Sequence, residues 1–185
     1  KNVSVFAPLV TKDKPLVGVE PSSILTFRDE YPLLLKGELK KKAQDLAKNT
    51  LTIEEFLAAE IDRGNITAEQ FVAKEQKIKL HGHCHQKSQD RMKGLTNLLS
   101  ELKINNKMID SSCCGMAGSF GYDSKNYEVS KKMANLSLIP AINNTDEADF
   151  IIANGTSCRH QISDLSHKKG KHVSELLFKI FETVN

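Results

Sequence analysis

Apolar positions along the chain fall into short runs separated by longer amphipathic stretches. Leu16-Val17-Gly18-Val19 is a compact β-type run that Glu20-Pro21 stops. Ser22 or Ser23 is then placed to cap a helix that carries Asp29 and Glu30 further along. Helical patterning covers residues 36–48 and 52–63. The second of these stretches opens with Thr52-Ile53-Glu54-Glu55, the Ser/Thr-x-x-Glu pattern of a capping box, and Gly64-Asn65 closes it.

From Lys77 the alternation becomes more regular. Ile78 and Leu80 alternate with lysines and lead into His81-Gly82-His83-Cys84-His85, after which a polar-rich helix is expected over 86–102. Met108-Ile109-Asp110 is a second short run and delivers the chain to Ser111-Ser112-Cys113-Cys114-Gly115, with a helix over 124–138 beyond it. Residues 149–153 form the strongest strand pattern and run into Asn154-Gly155-Thr156-Ser157-Cys158, with a further helix from near Arg159. Val173 is placed in a last short strand before a terminal helix over 174–183. Strands that alternate with helices predict an α/β, Rossmann-like three-layer fold with a short parallel sheet. The change of pattern between residues 64 and 76 marks the expected boundary between a unit at 1–70 and a unit at 71–185.

Composition removes several classes. With 185 residues, 39% hydrophobic and 26% charged, the chain is too apolar for a disordered segment. No run approaches the roughly 20 apolar residues of a membrane helix. A net charge of +3 is too weak to argue for nucleic acid or an anionic membrane as partner. Residues 1–10 lack a signal-peptide pattern, so the four cysteines are expected in a reducing compartment, where thiols serve more often as ligands or nucleophiles than as disulfides. The chain begins without methionine inside a continuing element and reads as a piece of a longer polypeptide.

The cysteines change the picture most. Each follows a predicted strand and precedes a predicted helix, and in an open parallel sheet those turns lie together at the carboxyl edge. Cys84, Cys113, Cys114 and Cys158 are therefore expected to converge, although 28 residues separate Cys84 from Cys113 and 43 separate Cys114 from Cys158. Neighbouring cysteines are poorly suited to a disulfide across a planar trans peptide. Thiolates instead select zinc, copper(I) or iron–sulfur clusters. Gly115, Gly118 and Gly121 let backbone amides approach such a group and offset its negative charge. Four buried structural cysteines, or a redox-active dithiol at Cys113-Cys114, are the alternatives.

If the strand persisted through residues 81–85, His81, His83 and His85 would share the face opposite Cys84. His81 reads as a hydrogen-bonded or partly exposed histidine. His83 and His85, beside the cysteine, are candidates to contact or surround the metal, as is His160, two residues beyond Cys158. Arg159 at a helix start either tunes the site or is solvated. Arg28-Asp29-Glu30 and Lys40-Lys41-Lys42 read as solvated helix faces. With no Walker loop and no Gly-x-Gly-x-x-Gly fingerprint, the chain is expected to bind neither nucleotide nor FAD itself.

The segments HGHCHQKS, SSCCGMAGSFGY and ANGTSCRHQI resemble the cysteine-rich CCG domain of iron–sulfur oxidoreductases. The nearest resemblance is to the C-terminal portion of FAD-linked 2-hydroxy-acid oxidases and dehydrogenases, of the glycolate oxidase, D-lactate and D-2-hydroxyglutarate dehydrogenase type. Residues 17–35, VGVEPSSILTFRDEYPLLL, resemble the end of a first CCG repeat. The resemblance thus implies a first-repeat remnant with a helical connection at 1–70 and a complete second domain at 71–185. It implies a [4Fe–4S] cluster held by Cys84, Cys113, Cys114 and Cys158, with no catalytic residue in this piece. Electrons would come from an FAD-bearing oxidase subunit or domain and pass to a quinone or redox protein, in the cytoplasm or peripherally at the inner face of the membrane. Two departures stand out. Gly155 occupies the first position of the family's closing Cys-x-x-Cys, and Ser23 stands where relatives often carry cysteine. With four thiols remaining, a structural zinc domain that mediates contacts between domains or subunits is the rival expectation.

Overall fold

The computed structural model describes residues 1–72, 77–89, 92–146 and 150–181. The first half runs through α1 (Asn2–Phe6), β1 (Leu16–Gly18), α2 (Pro21–Ile24), α3 (Glu30–Leu34), α4 (Gly37–Lys48), β2 (Thr50–Thr52) and α5 (Ile53–Asp62). β1 and β2 pair in parallel, with Leu16 opposite Thr50 and Gly18 opposite Thr52. At three residues, two of them threonine, β2 is too short and polar to leave a periodic signal. The predicted capping box is present: Thr52 accepts from the Glu55 backbone N–H while Glu55 reaches back to the Thr52 N–H. The predicted cap at Ser22 or Ser23 is not. Glu20 caps α2 by accepting from the Ser22 N–H, and Asp29 begins α3 by accepting from the Glu30 N–H, so the expected single helix is broken.

The second half contains β3 (Ile78–His81), α6 (Cys84–Ser88), α7 (Met92–Glu101), β4 (Asn106–Met108), α8 (Tyr127–Leu136), α9 (Leu138–Asn143), β5 (Phe150–Ala153), α10 (Thr156–Leu165), β6 (Gly170–Lys171) and α11 (Val173–Ile180). The helix expected over 86–102 corresponds to α6 and α7, with residues 90 and 91 outside those described. The expected helix over 124–138 stops at Leu136. A new one starts at Leu138 with Pro140 in its first turn, where the missing N–H costs nothing. Val173 is not in a strand; it opens α11, which His172 caps.

All pairings in this sheet are parallel, in the order β4-β3-β5-β6. Its strands alternate. Ile78, Leu80 and Ile152 face one layer with Leu95, Leu98 and Leu99 of α7 and Val173, Leu176 and Leu177 of α11. Ile151 and Ala153 face the other, with Leu138 and Ile142 of α9 and Ile162 of α10. The fold is therefore α/β with three layers, as the alternation predicts. Each fully buried Leu or Ile contributes about 1.5–3 kcal/mol. Ile53, Leu57 and Ile61 of α5 pack on the first layer, so the N-terminal half is joined to the larger sheet through shared core. Among the described residues, no helix is long and apolar enough to cross a membrane.

Candidate metal centre

The chain passes from β3 outward to β4, then returns to the other side of β3 to form β5. The carboxyl ends of β3 and β5 thus flank the point where strand order reverses, the usual ligand position in such sheets. Three loops meet there. The loop after β3 carries Cys84, the loop after β4 carries Cys113 and Cys114, and the loop after β5 carries Cys158. All four thiols are free; Cys84 is exposed, Cys113 half-buried, and Cys114 and Cys158 are buried.

The sulfurs form a continuous series, Cys84 to Cys113 to Cys114 to Cys158, each hydrogen-bonded to the next. The proton positions along it are unequal. Cys113 lies far below the ordinary thiol value because Cys114 and Cys84 both donate to it, aided by the Gly115 N–H at 3.2 Å. Cys158 is lowered by the donor Cys114 and by His81 against its own burial. Cys84 is raised through its bond to Cys113 and by burial. Cys114 is raised because it donates to Cys113 and Cys158 and is itself desolvated, although the Met116 N–H opposes this.

His81 joins the cysteines at the end of β3. Of the two readings, hydrogen-bonded or partly exposed, the first holds: it is 1% exposed, the last residue of β3 and the register partner of Ala153. Its Nδ1 lies 2.8 Å from Ser111 Oγ, while its buried Nε2 has no hydrogen-bond partner. Ligand atoms of His81, Cys114 and Cys158 all lie within 4.8 Å of one another. In the tautomer whose Nδ1–H donates to Ser111, Nε2 carries a lone pair on the side of the sulfurs, the arrangement typical of metal-binding imidazoles; in the other tautomer the same nitrogen donates to Cys158. An orphaned buried nitrogen beside four thiols fits a thiolate-bound metal or cluster.

Residues 78–163, which include all four cysteines, match the family model described as CCG, cysteine-rich domain. This segment is similar to CCG cysteine-rich domains. The chain is 28% identical over 174 residues to D-2-hydroxyglutarate dehydrogenase of Haemophilus influenzae, covering 91% of the chain and 16% of the relative. It is 27% identical over 175 residues to the Escherichia coli K12 protein of the same name, again covering 91% and 16%. To one subunit of the anaerobic glycerol-3-phosphate dehydrogenase of E. coli K12 it is 24% identical over 177 residues, covering 94% of the chain and 42% of that relative. The chain thus spans about a sixth of the length of the first two relatives.

Around the CCG site, glycine at 115 has a physical requirement. Its φ of +88° is left-handed, and a Cβ there would run into the Ser130 carbonyl. Gly118 also has positive φ, and its carbonyl accepts from Ser157 Oγ at 3.4 Å. β3 stops at His81 instead of persisting through residue 85, so the three histidines do not share a face. His83 caps α6 by accepting from the His85 N–H, and burial lowers its affinity for a second proton. His85 Nε2 lies 2.7 Å from Asp29, and His160 Nδ1 contacts the Tyr122 hydroxyl. Arg159 donates to the carbonyls of Ala153 and Asn154, closing the end of β5 beside Cys158.

Carboxylates of the N-terminal half hold these loops. Glu54, 1% exposed, accepts from Gln86 at 2.6 Å and Asn154 at 3.2 Å. Glu20 accepts from both the N–H and hydroxyl of Thr156. Asp29, read as part of a solvated face, instead binds His85 and Gln89, and Arg28 forms a two-pronged pair with Glu55 at 2.9 and 2.7 Å. Glu54, Glu20 and Ser111 belong to no motif. The one signal is at Glu54, a carboxylate two residues after the predicted cap Thr52 and beside the Glu55 that the capping box already uses.

Proposed function

We propose that this chain is the iron–sulfur electron-transfer module of an FAD-linked 2-hydroxy-acid oxidoreductase. Cys84, Cys113, Cys114 and Cys158 would hold a [4Fe–4S] cluster. The observation that carries the reading is the meeting of four free thiols from three loops at the point where strand order reverses. When bound, such a cluster supplies a one-electron carrier. The protein's part is to hold the thiolates, exclude water at Cys114 and Cys158, and offset sulfur charge with the Gly115 and Met116 amides. Cys84 is the exposed thiol, so electrons would pass at that edge. Similarity to two kinds of dehydrogenase supports the redox context. Flavin and hydroxy acid would belong to a partner domain or subunit, with a quinone or redox protein as acceptor. In this reading residues 1–70 are a first-repeat remnant that braces the second.

Anaerobically purified protein should contain about four iron and four sulfide per chain, with broad visible absorbance that bleaches on reduction. Cys113→Ser or Cys114→Ser should abolish that absorbance, and an unchanged spectrum would refute the ligand assignment.

A second reading is favoured by the orphaned His81 nitrogen. His81, Cys114 and Cys158, with a further thiolate, make the mixed imidazole–thiolate set that zinc takes in structural sites. One zinc per chain, without iron or colour, is its signature.

A further inference from the structure

Gly155 has an ordinary extended backbone, with φ −72° and ψ 130°, so nothing in the chain's conformation asks for glycine there. What asks for it is space. A Cβ on Gly155 would overlap His83 Cδ2, and it would lie 3.2 Å from His83 Nε2 and 3.2 Å from Cys158 Sγ. The imidazole of His83 and the sulfur of Cys158 therefore face the same small volume, the one a side chain at 155 would enter.

The hydrogen bonding of His83 decides what it presents to that volume. Its Nδ1 accepts from the His85 N–H at 3.2 Å, which uses the lone pair on that nitrogen. In the neutral ring the proton then resides on Nε2. His81 has the opposite arrangement, with Nδ1 on a hydroxyl and Nε2 orphaned.

We infer that His83 occupies the side-chain space at position 155 and serves as a neutral N–H donor beside the Cys158 sulfur, a positioning residue rather than a metal ligand. This rests on the reading of Cys158 as a metal ligand, though not on which metal is bound. An N–H directed at a thiolate stabilises its negative charge without adding to the coordination number. The alternative of a side chain at 155 is sterically barred while His83 is in place.

Cobalt(II) added to the metal-free protein tests this, because its thiolate charge-transfer bands report both the number of sulfur ligands and the electron density on them. The unaltered protein should bind cobalt with such bands. Their absence would overturn the metal-site reading itself, separately from the role of His83. His83→Asn keeps a side-chain acceptor for the His85 N–H but does not reach the Nε2 position. It should retain full cobalt stoichiometry while the charge-transfer band moves to longer wavelength. His83→Gln, whose amide N–H reaches that position, should move the band back. Gly155→Ala should weaken cobalt binding about tenfold or more, and His83→Asn added to it should restore most of that loss. Loss of cobalt in His83→Asn would make His83 a ligand. An unmoved band, or no rescue of Gly155→Ala, would overturn the assignment.

Discussion

The buried carboxylate of Glu54 accepts a 2.6 Å hydrogen bond from Gln86, 32 residues further along the chain and two beyond Cys84. The same oxygen accepts from Asn154 at the end of β5, whose own Oδ1 accepts from the Val173 N–H. One side chain of the N-terminal half thereby ties together the loops that carry Cys84 and Cys158.

Removing that acceptor strands two buried amides. Glu54→Ala should lower unfolding free energy by about 2–4 kcal/mol in urea titration of the metal-free protein. Glu54→Gln keeps an acceptor oxygen and should cost less. Burial raises the Glu54 carboxyl above its ordinary value, with the neighbouring Glu55 charge adding to the effect. The folded state therefore holds this proton more tightly than the unfolded state. Its contribution is fully present below the unfolded value and is lost as pH rises through the folded one. Glu54→Gln should flatten that part of the pH profile; an unchanged profile would show that Glu54 does not titrate with folding.

Glu20 has the opposite sign. Burial would raise its carboxyl, but bonds from Thr156 and Ser22 outweigh this and hold it below the ordinary 4.5. Stability from Glu20 is thus present above that pH and fades as pH falls through the folded value. α10 has no side-chain cap of its own at Gly155, so Glu20→Ala should cost about 1 kcal/mol at neutral pH. In acid the variant and the parent should converge, as thermal melts across pH would measure.

Gly115 and Gly118 both have positive φ, yet a Cβ meets the Ser130 carbonyl at the first and nothing within 4 Å at the second. Gly118→Ala should cost about 1–2 kcal/mol, the backbone penalty alone. Gly115→Ala should cost clearly more, since α8 must move as well. Equal losses in chemical denaturation would contradict the close packing at Gly115.

Ser111 orients His81 through its hydroxyl at 2.8 Å. If His81 offers its other nitrogen to a metal, Ser111→Ala should lower zinc affinity about 10-fold to 100-fold in competition with a chelator, while the thiol count stays at four. Unaltered affinity would place His81 outside the coordination shell.

Much of the fold follows from local pattern. β1, β3 and β5, the capping box at Thr52 and the helices α4 and α5 are written in runs and caps of a few residues. β2 and β6 are not, because two or three residues held by neighbouring strands carry no period of their own. The break at Asp29 is hidden for a related reason: a side chain that caps a new helix looks the same in sequence as one on a solvated face.

The order of elements along the chain is enough to bring four thiols to one edge of a parallel sheet, because each of them follows a strand end. Which other groups join them depends on packing. His81 enters because β3 stops there and pairs with Ala153, which buries its ring against Cys114 and Cys158. His83 and Gly155 meet, and Glu54 reaches Gln86 and Asn154, across gaps of 72, 32 and 100 residues. Contacts of that separation are set by how layers pack, and no local periodicity encodes them.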